Sequence, residues 1–206
     1  MLKKSIILIL FTIASSAYAQ KCHYSWELSS LGMNIGSAED DIYLEAKKVS
    51  IKSTFIPSDF LKTFNVKNIN RNINYDNQLN FLDKQEYHFK NKKEFKMESN
   101  RDNISADGKT FEKKHNLTID STSFPYIYNL YTQNGQELPK NVNILTKNKV
   151  MYGEIYKEID RFSTTGENWS ILVNFEPINK TPTKILIKTD SQNVTATLKE
   201  KRCQNQ

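Results

Sequence analysis

Apolar and polar residues alternate with a period of two along most of the chain. Between His23 and Leu28, Tyr24, Trp26 and Leu28 share one face, and His23, Ser25 and Glu27 share the other. Val49, Ile51 and Phe55 alternate with Ser50, Lys52 and Thr54. From Gln78 to Phe89 one face carries Leu79, Phe81, Tyr87 and Phe89, interrupted at Asp83 and Gln85. Trp169, Ile171, Val173 and Phe175 repeat the pattern, as do Val194, Ala196 and Leu198. This is the signature of strands with one face buried and one face wet. Polar turns punctuate them at Asp107-Gly108, Thr164 to Glu167 and Asp190 to Asn193. Short strands in series with tight turns predict an antiparallel meander. Nothing in the pattern suggests a βαβ unit. The polar stretch Asn91 to Lys114 reads as a long exposed hairpin.

One stretch has helical spacing. Phe124, Ile127, Tyr128 and Tyr131 follow i, i+3, i+4, i+7. Ser123 suits its N-cap, Pro125 its first turn and Asn134-Gly135 its end. Ser58 to Phe64 can add a further helical turn. The fold expected is mainly β: a single curved antiparallel sheet or half-barrel with one short packed helix, covering residues 20–206 as one domain.

The first 19 residues break the pattern. Lys3 and Lys4 precede the apolar run Ile6 to Ile13, and Ala17-Tyr18-Ala19 is an A-x-A cleavage signal. That is the build of a secretory signal peptide over 1–19, so the mature chain is expected to begin at Gln20. The apolar run is too short for a bilayer span. Loss of Lys3 and Lys4 lowers the formal charge from +6 to +4. This charge is spread along the chain, with no basic block interleaved with aromatics, so no nucleic-acid partner is expected. An export leader implies an oxidising compartment. Cys22 and Cys203, the two cysteines, are then expected to form a disulfide that sets the first and last strands side by side. Two distant cysteines and three scattered histidines offer no metal-ligand spacing. No cofactor is expected either.

Catalytic signatures are missing: no G-x-S-x-G, H-E-x-x-H, P-loop or dinucleotide fingerprint occurs. Adjacent carboxylates at Glu39-Asp40-Asp41 would point to opposite faces of a strand and read as a solvated edge. No enzyme and no catalytic residue are expected. The aromatic residues are the candidates for function. One ten-residue helix is about 15 Å long and cannot cover the apolar face of a broad sheet. That face must curl on itself, be lidded by hairpins or hold a guest. Phe55, Phe60, Phe64, Phe81, Tyr87, Phe89, Phe124 and Tyr128 could line a groove for an apolar ligand such as a lipid. Plain core is the simpler reading of the same residues, because aromatics on one strand face most often pack against each other.

Several stretches taken together resemble a family. They are Tyr24-Ser25-Trp26, Leu31 to Ala38, Ile119-Asp120 leading into Ser123 to Leu130, Pro182 to Ile185, and Val194 to Leu198. The resemblance is to exported bacterial proteins known only as a domain of unknown function. In outline these are similar to the open β-barrels of periplasmic lipoprotein carriers. The resemblance implies a periplasmic location and offers no catalytic residues to carry over. Cys22, Cys203 and the Lys/Asn-rich middle depart from the commoner pattern. Two functions follow as expectations: binding or carrying an apolar or amphipathic envelope ligand, or a non-catalytic structural or interaction role beside an envelope protein.

Overall fold

The computed structural model describes residues 20–133, 135, 137–146, 149–190 and 193–205. The expected leader, 1–19, and Asn134 lie outside the described residues. Strands β1 (Gln20–Ser30), β2 (Met33–Glu45), β3 (Lys48–Pro57) and β4 (Ile69–Asp76) pair antiparallel in order, with a short helix α1 (Asp59–Thr63) between the last two. The meander continues through β5 (Phe81–His88), β6 (Lys93–Ser99), β7 (Asn103–Ala106) and β8 (Lys109–Glu112). Then come β9 (Leu117–Asp120), helix α2 (Phe124–Gln133) and β10 (Asn141–Leu145). A second meander, β11 (Val150–Lys157), β12 (Arg161–Gly166), β13 (Trp169–Phe175), β14 (Pro182–Thr189) and β15 (Asn193–Asn205), returns until β15 pairs with β1.

All 15 strands among the described residues belong to one sheet, with β8 at one edge and β9 at the other. In a flat sheet, strand spacings of about 4.8 Å would hold those edges roughly 67 Å apart. The linker from Glu112 to Leu117 can span at most about 18 Å. The sheet therefore rolls up until its edges meet at that linker, without a ladder between them. Side chains tie the seam. Asn143, buried on β10, accepts from the Lys114 and His115 amides at 3.2 Å each and donates to Thr118 Oγ1 at 3.0 Å. Tyr152 donates to the Glu112 carbonyl at 3.1 Å.

Helix α2 sits inside the curl. Its residues Phe124 to Asn129 are all buried, so this first part of the helix is covered all round rather than along one stripe, and only its end reaches the surface at Gln133. Tyr126 meets Trp26 and Asp40 on one arm of the sheet. Phe124 and Tyr128 stack on Phe162 of the other arm, with centroids 4.6 and 4.1 Å away. The Ser123 carbonyl accepts from the Tyr126 and Ile127 amides as a cap should.

Several features of the strands differ from the sequence expectation. Thr164 to Gly166, read as part of a turn, complete β12, and the turn itself is Glu167-Asn168. Strands β9 and β10 pair in parallel, because α2 threads the interior and returns the chain to the end where β9 began. Residues 91–114 hold three strands rather than one exposed hairpin. Phe95, Met97, Ile104 and Ala106 are buried there, every second position among polar neighbours. In β5 the pairing slips, with Tyr75 opposite Phe81 and Asn74 opposite Asp83. Leu82 is the extra residue of a bulge, and every later side chain changes face.

Cys22 and Cys203 are directly opposed across β1 and β15 and joined by a disulfide, with Cα atoms 4.1 Å apart. Among the described residues no helix is long and apolar enough to cross a membrane. Gly36 on β2 is required where it stands: a Cβ there would lie 2.2 Å from the Ile56 carbonyl oxygen.

Candidate functional site

Rolling the sheet leaves a cleft of about 360 Å³ at the end where α2 begins. Leu28, Ala38, Phe55 and Ile69 form one wall. They come from successive strands β1 to β4, at positions whose parity points inward. Ile185, Ile187, Val194 and Ala196 of β14 and β15 form the opposite wall. Ser121 and Thr122, on the turn into α2, close the inner side.

The deep end of this apolar cleft is polar. Asp40, Ser53, Trp26 and Arg71 lie there. Asp40 is buried, and its carboxylate accepts from Tyr126 Oη at 2.5 Å. The same Tyr126 oxygen accepts from Trp26 Nε1 at 2.8 Å. Burial pushes the Asp40 carboxyl above its ordinary range, against hydrogen bonds from Ser53 and Tyr126 and the nearby Arg71 charge. Burial next to Asp40 also drives the Tyr126 hydroxyl well above its ordinary value.

Arg71 links the cleft to a buried chain of charges. Its Nε donates to Glu86 Oε2 at 3.0 Å. Lys84 Nζ lies 3.1 Å from the same oxygen and 2.8 Å from Asp120 Oδ2. His88 Nε2 meets the other Glu86 oxygen. Asp120 accepts from the Thr122 amide at 2.9 Å, so the network returns to the cleft wall. Burial alone would raise the Glu86 pKa, but the Arg71 and Lys84 charges and the His88 bond overcome it and hold it at about 2. Burial against Asp120 raises the Tyr75 hydroxyl as well, and Tyr75 Oη accepts from the Asp120 amide at 3.0 Å. The guanidinium of Arg71 carries five N–H donors, of which Nε–H is committed to Glu86, and Arg71 is the cationic residue of the cleft lining.

The aromatic residues expected to gather in a groove are dispersed. Phe55 lines the cleft. Phe81, Phe124 and Tyr128 are buried in the core. Tyr87 and Phe89 pair edge to face on the outer side, at 4.9 Å, because the Leu82 bulge turned them out. Phe60 and Phe64 stand exposed on and just after α1. The polar side of the site was not anticipated. Asp40 belongs to the acidic triplet read as a solvated edge. Glu39 and Asp41 do lie on the outer face, bracketing the His23 ring at 3.0 and 2.9 Å, while Asp40 turns inward. Arg71 had a readable signal: it occupies an inward-parity position between Ile69 and Ile73. Lys84 and Glu86 had none once the bulge moved them inward.

No protein-family model matches the chain, and no curated protein sequence does. Among solved structures, it is similar to the β-barrel-like protein of a domain of unknown function, DUF1849, from Brucella abortus. The two share 8% identity with a TM-score of 0.49, over 92% of this chain and 99% of that one.

Proposed function

We propose that this chain is a non-catalytic binding protein of the bacterial envelope, whose cleft takes the apolar part of an amphipathic ligand. The observation that carries the reading is the cleft: about 360 Å³, two aliphatic walls and a donor-bearing floor. That volume falls within the range of small-molecule sites, about 300–1,000 Å³. An acyl chain fits between Leu28 and Ile69 on one side and Ile185 and Ala196 on the other. A carboxylate or phosphate head then meets Arg71. The leader-like start and the disulfide support export to the periplasm, where such ligands are found. The filling of the rest of the interior by α2 favours the second reading, an interaction protein, for that part of the molecule only.

The test is titration of a fluorescent fatty-acid analogue against the wild type and an Ala196→Trp variant whose β-sheet spectrum is first verified. Saturable binding is expected for wild type, and at least about tenfold weaker binding for the filled cleft. No binding by folded wild type, or equal binding by both, overturns the reading.

A further inference from the structure

The cleft opens beside an unusual surface. Phe60 is 55% exposed and Phe64 63%, and their rings pair edge to face at 5.2 Å with no residue of α1 buried. Leu31, 81% exposed, projects from the β1–β2 turn at the same rim. The rim is one piece: the Ser58 amide donates to the Ile35 carbonyl at 3.0 Å, and the Phe89 amide donates to the Asn68 carbonyl at 3.2 Å. Phe89 at that join is exposed too. Exposed aromatic groups in such number on one rim are unusual for a surface that only meets water.

The segments that carry the aromatic pair and its neighbour Phe89 are basic. The α1 segment Ser58 to Asn68 and the turn Phe89 to Lys92 carry Lys62, Lys67, Lys90 and Lys92 against Asp59 alone, four cations to one anion. The opposite end also exposes apolar residues, Ile159 at 90% and Ile178 at 93%. The turns that hold those two residues, 158–160 and 176–181, carry Glu158, Asp160 and Glu176 against Lys180, three anions to one cation. Aromatic side chains that enter the headgroup layer, ringed by lysines that stay at the phosphates, form the pattern of an interfacial anchor.

We propose that the Phe60–Phe64 rim docks on an anionic phospholipid surface, mouth downward, so that the cleft opens onto the bilayer. The docking rests on the rim alone. Its link to ligand exchange rests on the cleft reading above. The aromatic pair supplies the contact with the acyl region, and the four lysines supply the preference for anionic headgroups. A bilayer fits better than a protein groove because the apolar groups stand on three separate segments of the rim rather than on one ridge.

The test is co-sedimentation of the full mature protein with vesicles of phosphatidylcholine alone and of phosphatidylcholine with 30% phosphatidylglycerol. Wild type, Phe60→Ala/Phe64→Ala and Lys90→Gln/Lys92→Gln are compared, with sedimentation velocity run on each without lipid. Both double variants change exposed side chains and are expected to keep the wild-type spectrum. Expected is binding by wild type to the anionic vesicles, at least about tenfold weaker for each double variant and weakened by salt. Absent binding, equal binding to both vesicles, or unchanged binding by the aromatic variant overturns the proposal. So does wild-type self-association that the aromatic variant abolishes, which would assign the rim to a second copy. Fatty-acid binding in solution should survive in both variants, so failure here is distinguishable from failure of the cleft.

Discussion

Glu86 is held between Arg71 and Lys84 with almost no exposed surface, and a buried carboxylate so placed links stability to pH. Its pKa falls from 4.5 to about 2 on folding. A depressed carboxylate stabilises the folded state fully above the unfolded value, and that contribution fades as pH drops through the folded value. The window is therefore from about pH 4.5 down to about 2. Asp40 acts in the opposite sense, since its raised pKa makes ionisation costly to the fold as pH rises past 3.8. A comparison that removes only Glu86 isolates the first effect. The Glu86→Gln variant is expected to lose about 3 kcal/mol at neutral pH, with Arg71 short of its partner. The gap to wild type should close between pH 4.5 and 2 in urea titrations. A gap independent of pH would mean the carboxylate charge is not what the network needs.

At the scale of elements, α2 departs furthest from habit. Its spacing fits a helix with one apolar stripe, yet Tyr126 and Asn129, off that stripe, are buried as well. Asp40 and Trp26 satisfy Tyr126, which lets a polar position face the interior. Ile127 is fully buried at the centre. An Ile127→Ala change is expected to cost about 3 kcal/mol, because sheet and helix cannot both collapse into the space left. Urea unfolding of the variant measures it. A loss under about 1 kcal/mol would show that the interior is loosely filled and the helix free to shift.

For the molecule as a whole, the disulfide joins the two ends of a meander at the middle of the sheet. The sequence separation is 181 residues, and the chain-entropy treatment assigns such a loop about 5 kcal/mol. The pairing of β1 with β15 is the most distant in sequence, so the reduced chain must find it by unaided search. The Cys22→Ala/Cys203→Ala protein is expected to unfold at distinctly lower urea and to refold more slowly. Identical midpoints in both forms would place the stabilisation in the strand ladder itself.

Local rules settled much of this protein from sequence. Period-two alternation is a property of neighbours, so Tyr24, Trp26, Ile51 and Val173 could be set on buried faces without a structure. The cap, the proline and the spacing around Phe124 located α2, and Asp107-Gly108 located a turn. The pairing of Cys22 with Cys203 needed only a count of two and the expectation of an oxidising compartment. Whatever depended on closure was not legible. One bulged residue, Leu82, reversed the faces of β5, sending Lys84 and Glu86 inward and Tyr87 and Phe89 outward; no local pattern marks where a ladder will slip. The parallel crossover, the burial of Phe124 to Asn129 on every side of α2 and the seam at Asn143 arise only when the sheet rolls. The cleft itself is the gap between β1 to β4 and β14 with β15, strands that meet across it because the sheet is curved. That curvature belongs to the whole ladder, and no single segment of the sequence encodes it.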